Sequence, residues 1–213
     1  GAAIATVLSQ LCSCLFVLHF LFGPAPQLGI SFGGYRPWLM GRILLTGLTP
    51  FLIIAVDNLM IIVLNALLQR YGGESQGDLL VAAATIAQSF MLVVTMPLGG
   101  MTGGTASILG YNLGAGQPKR ILEAQKYILI IAVAYTGVLC LVGQLFAAPF
   151  TRIFTPDVQV SALAVTAIRI TSLGIVPLGV QYVIVDGLTG MGMMRYSLPL
   201  SAFRKLVYFV AIF

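Results

Sequence analysis

The chain has 213 residues, of which 59% are hydrophobic and only 8% charged, with a formal net charge of +5 and a mean hydropathy of +1.01. Soluble domains carry roughly 25% charged residues, so this composition excludes a soluble globular fold and reads as an all-α integral membrane protein. The basic excess forms no patch interleaved with aromatics, which argues against a nucleic-acid partner. The three cysteines, Cys12, Cys14 and Cys140, stand in apolar runs without metal-ligand spacing, so they read as packing or lipid-facing residues.

A spanning helix needs about 20 mostly apolar residues. Six stretches meet that length, over 2–22, 43–68, 79–111, 128–150, 160–187 and 196–213. No alternating strand pattern of a barrel is present. The first span holds His19 near its inner end, an interfacial side chain with no catalytic partner at a useful spacing. The chain opens at Gly1 without a basic leader, and its last span stops inside the apolar "LVYFVAIF". The chain therefore reads as an internal piece of a longer protein.

The second span carries Pro50 and, seven residues on, Asp57 followed by Asn58. Asn65 is two turns further, so Asn58 and Asn65 share a face with Asp57 at its edge. Such a stripe must face protein or water instead of lipid. Asp57 reads either as a proton or sodium site or as a packing carboxyl bonded to Asn or paired with Arg169.

The third span would be about 50 Å long at 1.5 Å per residue, against a hydrocarbon core of about 30 Å. It is therefore tilted, bent, or extended into the cytoplasm, with Pro97 placed to bend it. Gly99, Gly100, Gly103 and Gly104 follow as two overlapping small-xxx-small pairs, which permit another helix to approach closely. The same spacing recurs at Gly110 and Gly114. This glycine-rich stretch lacks the Gly-Lys-Ser/Thr of a phosphate-binding loop, so it gives no support to ATP use. Its end, "GAGQPKR", reads as a helix end followed by a basic inner loop.

The fifth span holds Pro177 and the sixth Pro199, so proline recurs in several spans. Either these residues serve ordinary packing, or the helices bend and slide around a cavity. His19 aside, Asp57, Arg169 and Asp186 are the ionisable groups assigned to span interiors, Arg204 and Lys205 being counted with the fifth connection. An intramembrane charge costs at least about 2.5–3.5 kcal/mol and marks function or pairing. Arg169 either snorkels outward or pairs with Asp57. Asp186, near the cytoplasmic end, reads as a cap or loop-side partner. No nucleophile–base pair or metal set suggests an enzyme or a cofactor.

The connections separate by charge. The first, third and fifth carry Arg36 and Arg42, then Lys119, Arg120 and Lys126, then Arg195, Arg204 and Lys205. The second and fourth carry Arg70 and Arg152 opposed by Glu74, Asp78 and Asp157. The positive-inside rule puts the odd connections in the cytoplasm.

Four segments in chain order resemble one family. "GYNLGAGQPKRILEA" at 110–124 resembles the signature after the eighth helix of multidrug and toxic compound extrusion (MATE) transporters. "GAAIATVLSQ" at 1–10 is similar to the start of their sixth helix. "GLTPFL" at 47–52 with "VLNALLQRYGG" at 63–73 is similar to their seventh, and "GMGMMRYSLPLSAFRKLVYFV" at 190–210 to their tenth-to-eleventh connection. Where many relatives have Gln-Pro shortly before the Tyr-Asn, this chain has Ala106 and Ser107.

The resemblance implies helices six to eleven of a twelve-helix transporter. Residues 1–22 would be the last helix of the preceding lobe, 23–42 a cytoplasmic inter-lobe connection, and 43–213 an incomplete C-terminal lobe. It implies a multi-pass cell-membrane protein, in a bacterium the inner membrane, exporting drugs or organic cations by Na+ or H+ antiport. Asp57, with Asn58 and Asn65, would take the coupling ion, including a possible Na+ at Asp57. Met60, Gln88, Phe90, Met91, Gln181 and Tyr182 either line a chamber for a cationic amphipathic substrate or bond between helices. Pro50, Pro97, Pro177 and the glycines at 99, 100, 103 and 104 are the hinge and packing candidates. The partners implied are membrane lipid and the missing N-terminal lobe. The alternatives are a lipid-linked precursor flippase, which the few interior cations disfavour, and a non-transporting membrane fragment.

Overall fold

The computed structural model describes residues 2–22, 33–34 and 36–212. Helix α1 spans Ala2–Phe22, and a helical run covers Pro37–Gly114. That run is broken at Gly73 (φ 61°, ψ −167°), a left-handed conformation that glycine adopts without steric penalty. The break separates α2 (Pro37–Gly73) from α3 (Gln76–Gly114). Then follow α4 (Pro118–Phe154), α5 (Val158–Leu173), α6 (Ile175–Gly190) and α7 (Met194–Ile212). Among the described residues there is no strand. The inter-lobe connection expected over 23–42 lies outside the described residues at 23–32 and 35, and α2 begins at Pro37.

The chain forms two compact units, Gly1–Ile43 and Leu44–Phe213. In the first, α1 exposes apolar side chains along its length, from Ile4 and Val7 through Phe16 to Phe22, and both Cys12 and Cys14 are exposed. A helix apolar all round is suited to lipid. Arg42 lies over the Trp38 ring at 5.0 Å.

The second unit is built on one face of α3. Ala83, Ile86, Ala87, Phe90 and Val94 recur at helical spacing and pack with Ala147 of α4, Val160, Ala164 and Ile168 of α5, and Ile175 of α6. Further along α3, Leu98 and Leu109 meet Ile128 and Ala132 of α4 and Val183 of α6. The opposite face shows Leu92, Val93 and Met96 outward. Apolar side chains therefore cover both faces, as a helix solvated by lipid on one side and protein on the other requires.

Helices α1 to α4 are each long and apolar enough to cross a membrane, and α5 with α6 qualifies as one broken span bent by 50°. That is four or five spans among the described residues where six are expected. The expected fifth span breaks at Gly174, the C-cap of α5 (φ −82°, ψ −5°). Pro177 then lacks the N–H that would continue the ladder. Gln144 of α4 donates to the Arg169 carbonyl (2.8 Å) and the Ser172 hydroxyl (2.7 Å), fastening the bend. The expected sixth span is the 19-residue α7, which carries Arg195, Arg204 and Lys205 and is not among the qualifying helices. Helix α3 stays continuous through Pro97; its 39 residues reach beyond the hydrocarbon.

The loop expected from "GAGQPKR" is also shorter. Gly116 turns the chain at φ 65°, with its N–H on Leu113 O and the Gln117 N–H on Asn112 O. Pro118 then starts α4, so Lys119, Arg120 and Lys126 are helical residues, the proline occupying a position where no donor is needed.

Glycine sets the helix spacing, but not where the motif count suggests. A Cβ on Gly179 would lie 2.6 Å from Thr136 Cγ2, and one on Gly190 2.6 Å from Ala106 Cβ. Nothing lies within 4 Å of the Cβ positions of Gly99, Gly100, Gly103 or Gly104.

Candidate cation site and adjoining chamber

Helix α2 carries Asp57 one turn beyond Ile53, and α7 faces it with two consecutive basic residues. Lys205 Nζ lies 3.0 Å from Asp57 Oδ1, and Arg204 Nη2 3.9 Å from the same oxygen. The Lys205 amine also donates to the Ile53 carbonyl oxygen. Lys205 is buried, at 7% exposure, whereas the Asp57 side chain is nearly half exposed. Arg204 lies 6.0 Å above the Tyr182 ring of α6, within the range of a weak cation–π contact.

This corrects two expectations. Arg204 and Lys205 belong to the body of α7, not to a cytoplasmic connection. They, and not Arg169, are the partners of Asp57; Arg169 is exposed on α5. The signal was present in "SAFRKLVYFV", where adjacent cations interrupt an apolar run, a pattern that marks a paired or functional position.

Helix α6 brings the second carboxylate. Asp186 is half-buried, not a loop-side cap, and the Thr102 hydroxyl of α3 approaches its Oδ2 at 2.5 Å. Thr102 is itself buried. Asp57 and Asp186 line one cavity of about 220 Å³, with Pro50, Gln181, Tyr182 and Arg204 also on its wall. The Gln181 amide donates to the Leu200 carbonyl at 3.4 Å.

A larger cavity of about 670 Å³ shares Asp57, Tyr182 and Arg204 with the first. Its wall includes Met60, Gln88, Met91 and Lys205. Four of the six chamber candidates thus meet around it, while Gln181 faces the smaller cavity. Phe90 lines neither: it is buried in the core, edge-on to Phe150 at a centroid distance of 5.3 Å. Asn58 and Asn65 also line neither cavity. The Asn58 amide donates to the Ile54 carbonyl one turn back. Asn65 Oδ1 is buried without a hydrogen-bond partner.

Chemically, the arrangement offers two carboxylates on separate helices, one matched by cations and one by a neutral hydroxyl. Beside them is a chamber walled by thioether, aromatic and amide groups. Carboxylate and carbonyl oxygens are the donors that hard cations take.

No curated protein and no solved structure matches the chain. The sequence profile of the MatE family matches residues 53–212, from four residues before Asp57 to the end of α7. That match covers well over half of the chain and every charged residue of the two cavities, so the chain belongs to the MatE family of membrane transport proteins.

Proposed function

We propose that the chain forms part of a secondary active exporter that moves cationic amphipathic compounds outward in exchange for Na+ or H+. The observation that carries this reading is the meeting of Asp57 and Asp186 on one cavity of about 220 Å³ that opens onto shared walls with a larger chamber. Asp57 takes the coupling cation, and Asp186 contributes the second negative charge. Met60, Met91 and Tyr182 offer an adaptable surface to flat organic cations, with Gln88 as a polar contact.

Exchange needs the ion and the substrate to prefer different conformations, because a ligand shifts an equilibrium only by its differential affinity. Occupancy at Asp57 biases α2 near Pro50, and the chamber is completed by the N-terminal lobe of the same protein. The basic start of α4 faces the cytoplasm of a cell membrane, in bacteria the inner one. Gradient-driven efflux from vesicles holding the full-length protein tests the reading. Asp57→Asn should abolish it while the protein remains inserted and monodisperse; retained coupling would remove Asp57 from the mechanism.

A second reading gains from one observation. Arg204 and Lys205 line the larger chamber, which supplies the interior cations that a lipid-linked precursor flippase would use on an anionic headgroup. A headgroup-scrambling assay separates the two, since an organic-cation exporter leaves labelled headgroups on their original leaflet.

A further inference from the structure

We infer that the Lys205 ammonium is a built-in competitor of the coupling cation: it occupies the oxygen site at Asp57 when that site is empty of metal ion, and a monovalent cation must displace it. The inference rests on the exchange reading above and assigns Lys205 a part in it.

Three observations lead there. The Lys205 amine contacts a carboxylate oxygen of Asp57 and the carbonyl oxygen of Ile53. These are the oxygen types that a hard cation such as sodium takes as ligands. An ammonium and a sodium ion bound to the same two oxygens exclude each other. Lysine is suited to the part, being a compact charge on a flexible four-carbon stem.

The second observation is the charge count. Among the described residues, the formal charges on the walls of the two cavities are Asp57, Asp186, Arg204 and Lys205. They sum to zero. A metal cation added to that set leaves an unmatched positive charge between membrane helices, which is unfavourable. Withdrawal of the lysine from Asp57 relieves it locally.

The third is room to withdraw. Lys205 also borders an apolar cavity of about 630 Å³ between α2 and α7, lined by Leu52, Val56 and Met60 on one side and Leu198 and Leu206 on the other. The stem has space to swing, and the ammonium can follow the wall of the larger chamber towards water. Because Lys205 is on α7 and its oxygens are on α2, displacement removes the closer of the two ion pairs that tie these helices, leaving the longer Arg204–Asp57 contact. Cation occupancy is thereby converted into a change in how α2 and α7 are held.

The test is equilibrium binding of radioactive sodium to the purified full-length protein, with gradient-driven efflux measured on the same preparation. Lys205→Met keeps the stem and removes the charge. It should raise sodium affinity by about tenfold or more, the scale of a close charge pair. Lys205→Arg should bind as weakly as the unsubstituted protein, and Asp57→Asn combined with Lys205→Met should bind none. A lysine with a purely structural part would not tighten sodium binding when removed. Sodium binding to Lys205→Met no tighter than to the unsubstituted protein overturns the inference. If neither chain binds sodium the inference also falls, and the efflux measurement then decides separately whether ion exchange survives.

A second measurement needs no substitution. Saturating sodium should increase acetylation of Lys205 by an amine reagent, read by mass spectrometry, relative to choline at equal ionic strength. Unchanged labelling counts against displacement.

Discussion

The α3–α4–α6 interface and the α2–α7 seam are held by different forces, although both are made of apolar helices. At the first, Val94, Ala132 and Val183 are almost wholly excluded from the surface, and Gly179 lets Thr136 approach to 2.6 Å of where a Cβ would stand. At the second, two cavities and the Asp57–Lys205 pair replace close packing. Lipid tails are as apolar as leucine, so burial between helices yields no hydrophobic gain in a bilayer. What remains is van der Waals fit, which the first region has, and electrostatics, which governs the second. A fitted interface resists rearrangement, whereas an ion pair can be exchanged for another ion. The difference divides the Leu44–Phe213 unit into a scaffold and a replaceable contact.

The largest effect should come from breaking the seam chemically while leaving the scaffold intact. Asp57→Asn should reduce gradient-driven efflux to the level of empty vesicles while the protein still folds, with a melting temperature lowered only by the loss of the buried Lys205 ammonium's carboxylate partner. A parallel collapse of stability would mean that the seam, too, is part of the scaffold. The Lys205 substitutions sharpen the same side of the comparison, since they act on sodium affinity without demanding loss of fold.

The scaffold should fail in the opposite way. Gly190→Ala places a Cβ 2.6 Å from Ala106 Cβ and 2.8 Å from its Cα. Backbone cannot turn aside as a side-chain tip can, so the helices must separate. Overpacking of this kind costs about 1–3 kcal/mol, which thermal unfolding in detergent would report as a lowered midpoint. An unchanged midpoint would show that α3 and α6 part easily at the Gly190 end of the bundle.

Thr102→Val joins the two regions and should have a smaller effect. It keeps the shape of a buried residue and removes the hydroxyl from Asp186. Hydrogen bonds between membrane helices average about 0.6 kcal/mol, so stability should fall only slightly. Efflux should then require more coupling ion, read as a rightward shift of its concentration dependence. A shift no larger than for Thr166→Val, an exposed threonine bonded only to its own helix, would separate Asp186 from coupling.

The apolar runs, the interrupting glycines and the family signature made the all-α membrane fold legible in the sequence. The inner face of each span was not. In a soluble helix, Phe90 would stand out against polar neighbours; here the buried Ile86, Phe90 and Val94 alternate with the exposed Leu92, Val93 and Met96, all apolar. Periodicity cannot separate protein from lipid when both sides ask for the same side chains. That is why Phe90 and Met91 are equal candidates for a chamber wall in the sequence, although Met91 reaches the cavity and Phe90 does not. Asp57 was legible because a carboxylate in an apolar run has few explanations. Its partners were not, because Lys205 lies 148 positions away in sequence and consecutive cations resemble the basic margin of a span. Pro177 announced a break, but the 50° bend also needed Gly174 and the Gln144 side chain from another helix.

The smallest expected effect belongs to the glycines that looked most significant. A small-xxx-small pattern shows where a close approach is permitted, not where it is used. Gly100, Gly103 and Gly104 are exposed, with no atom within 4 Å of their Cβ positions. Gly100→Ala therefore meets no clash and replaces a poor helix residue with the best one, a gain of up to about 0.5–1 kcal/mol in helix stability. The midpoint should stay level or rise a little, and efflux should not change. An unchanged midpoint with lost efflux would be the informative failure: this face would then be contacted in a step of the transport cycle, and part of the scaffold's surface would have to be counted with the moving contacts.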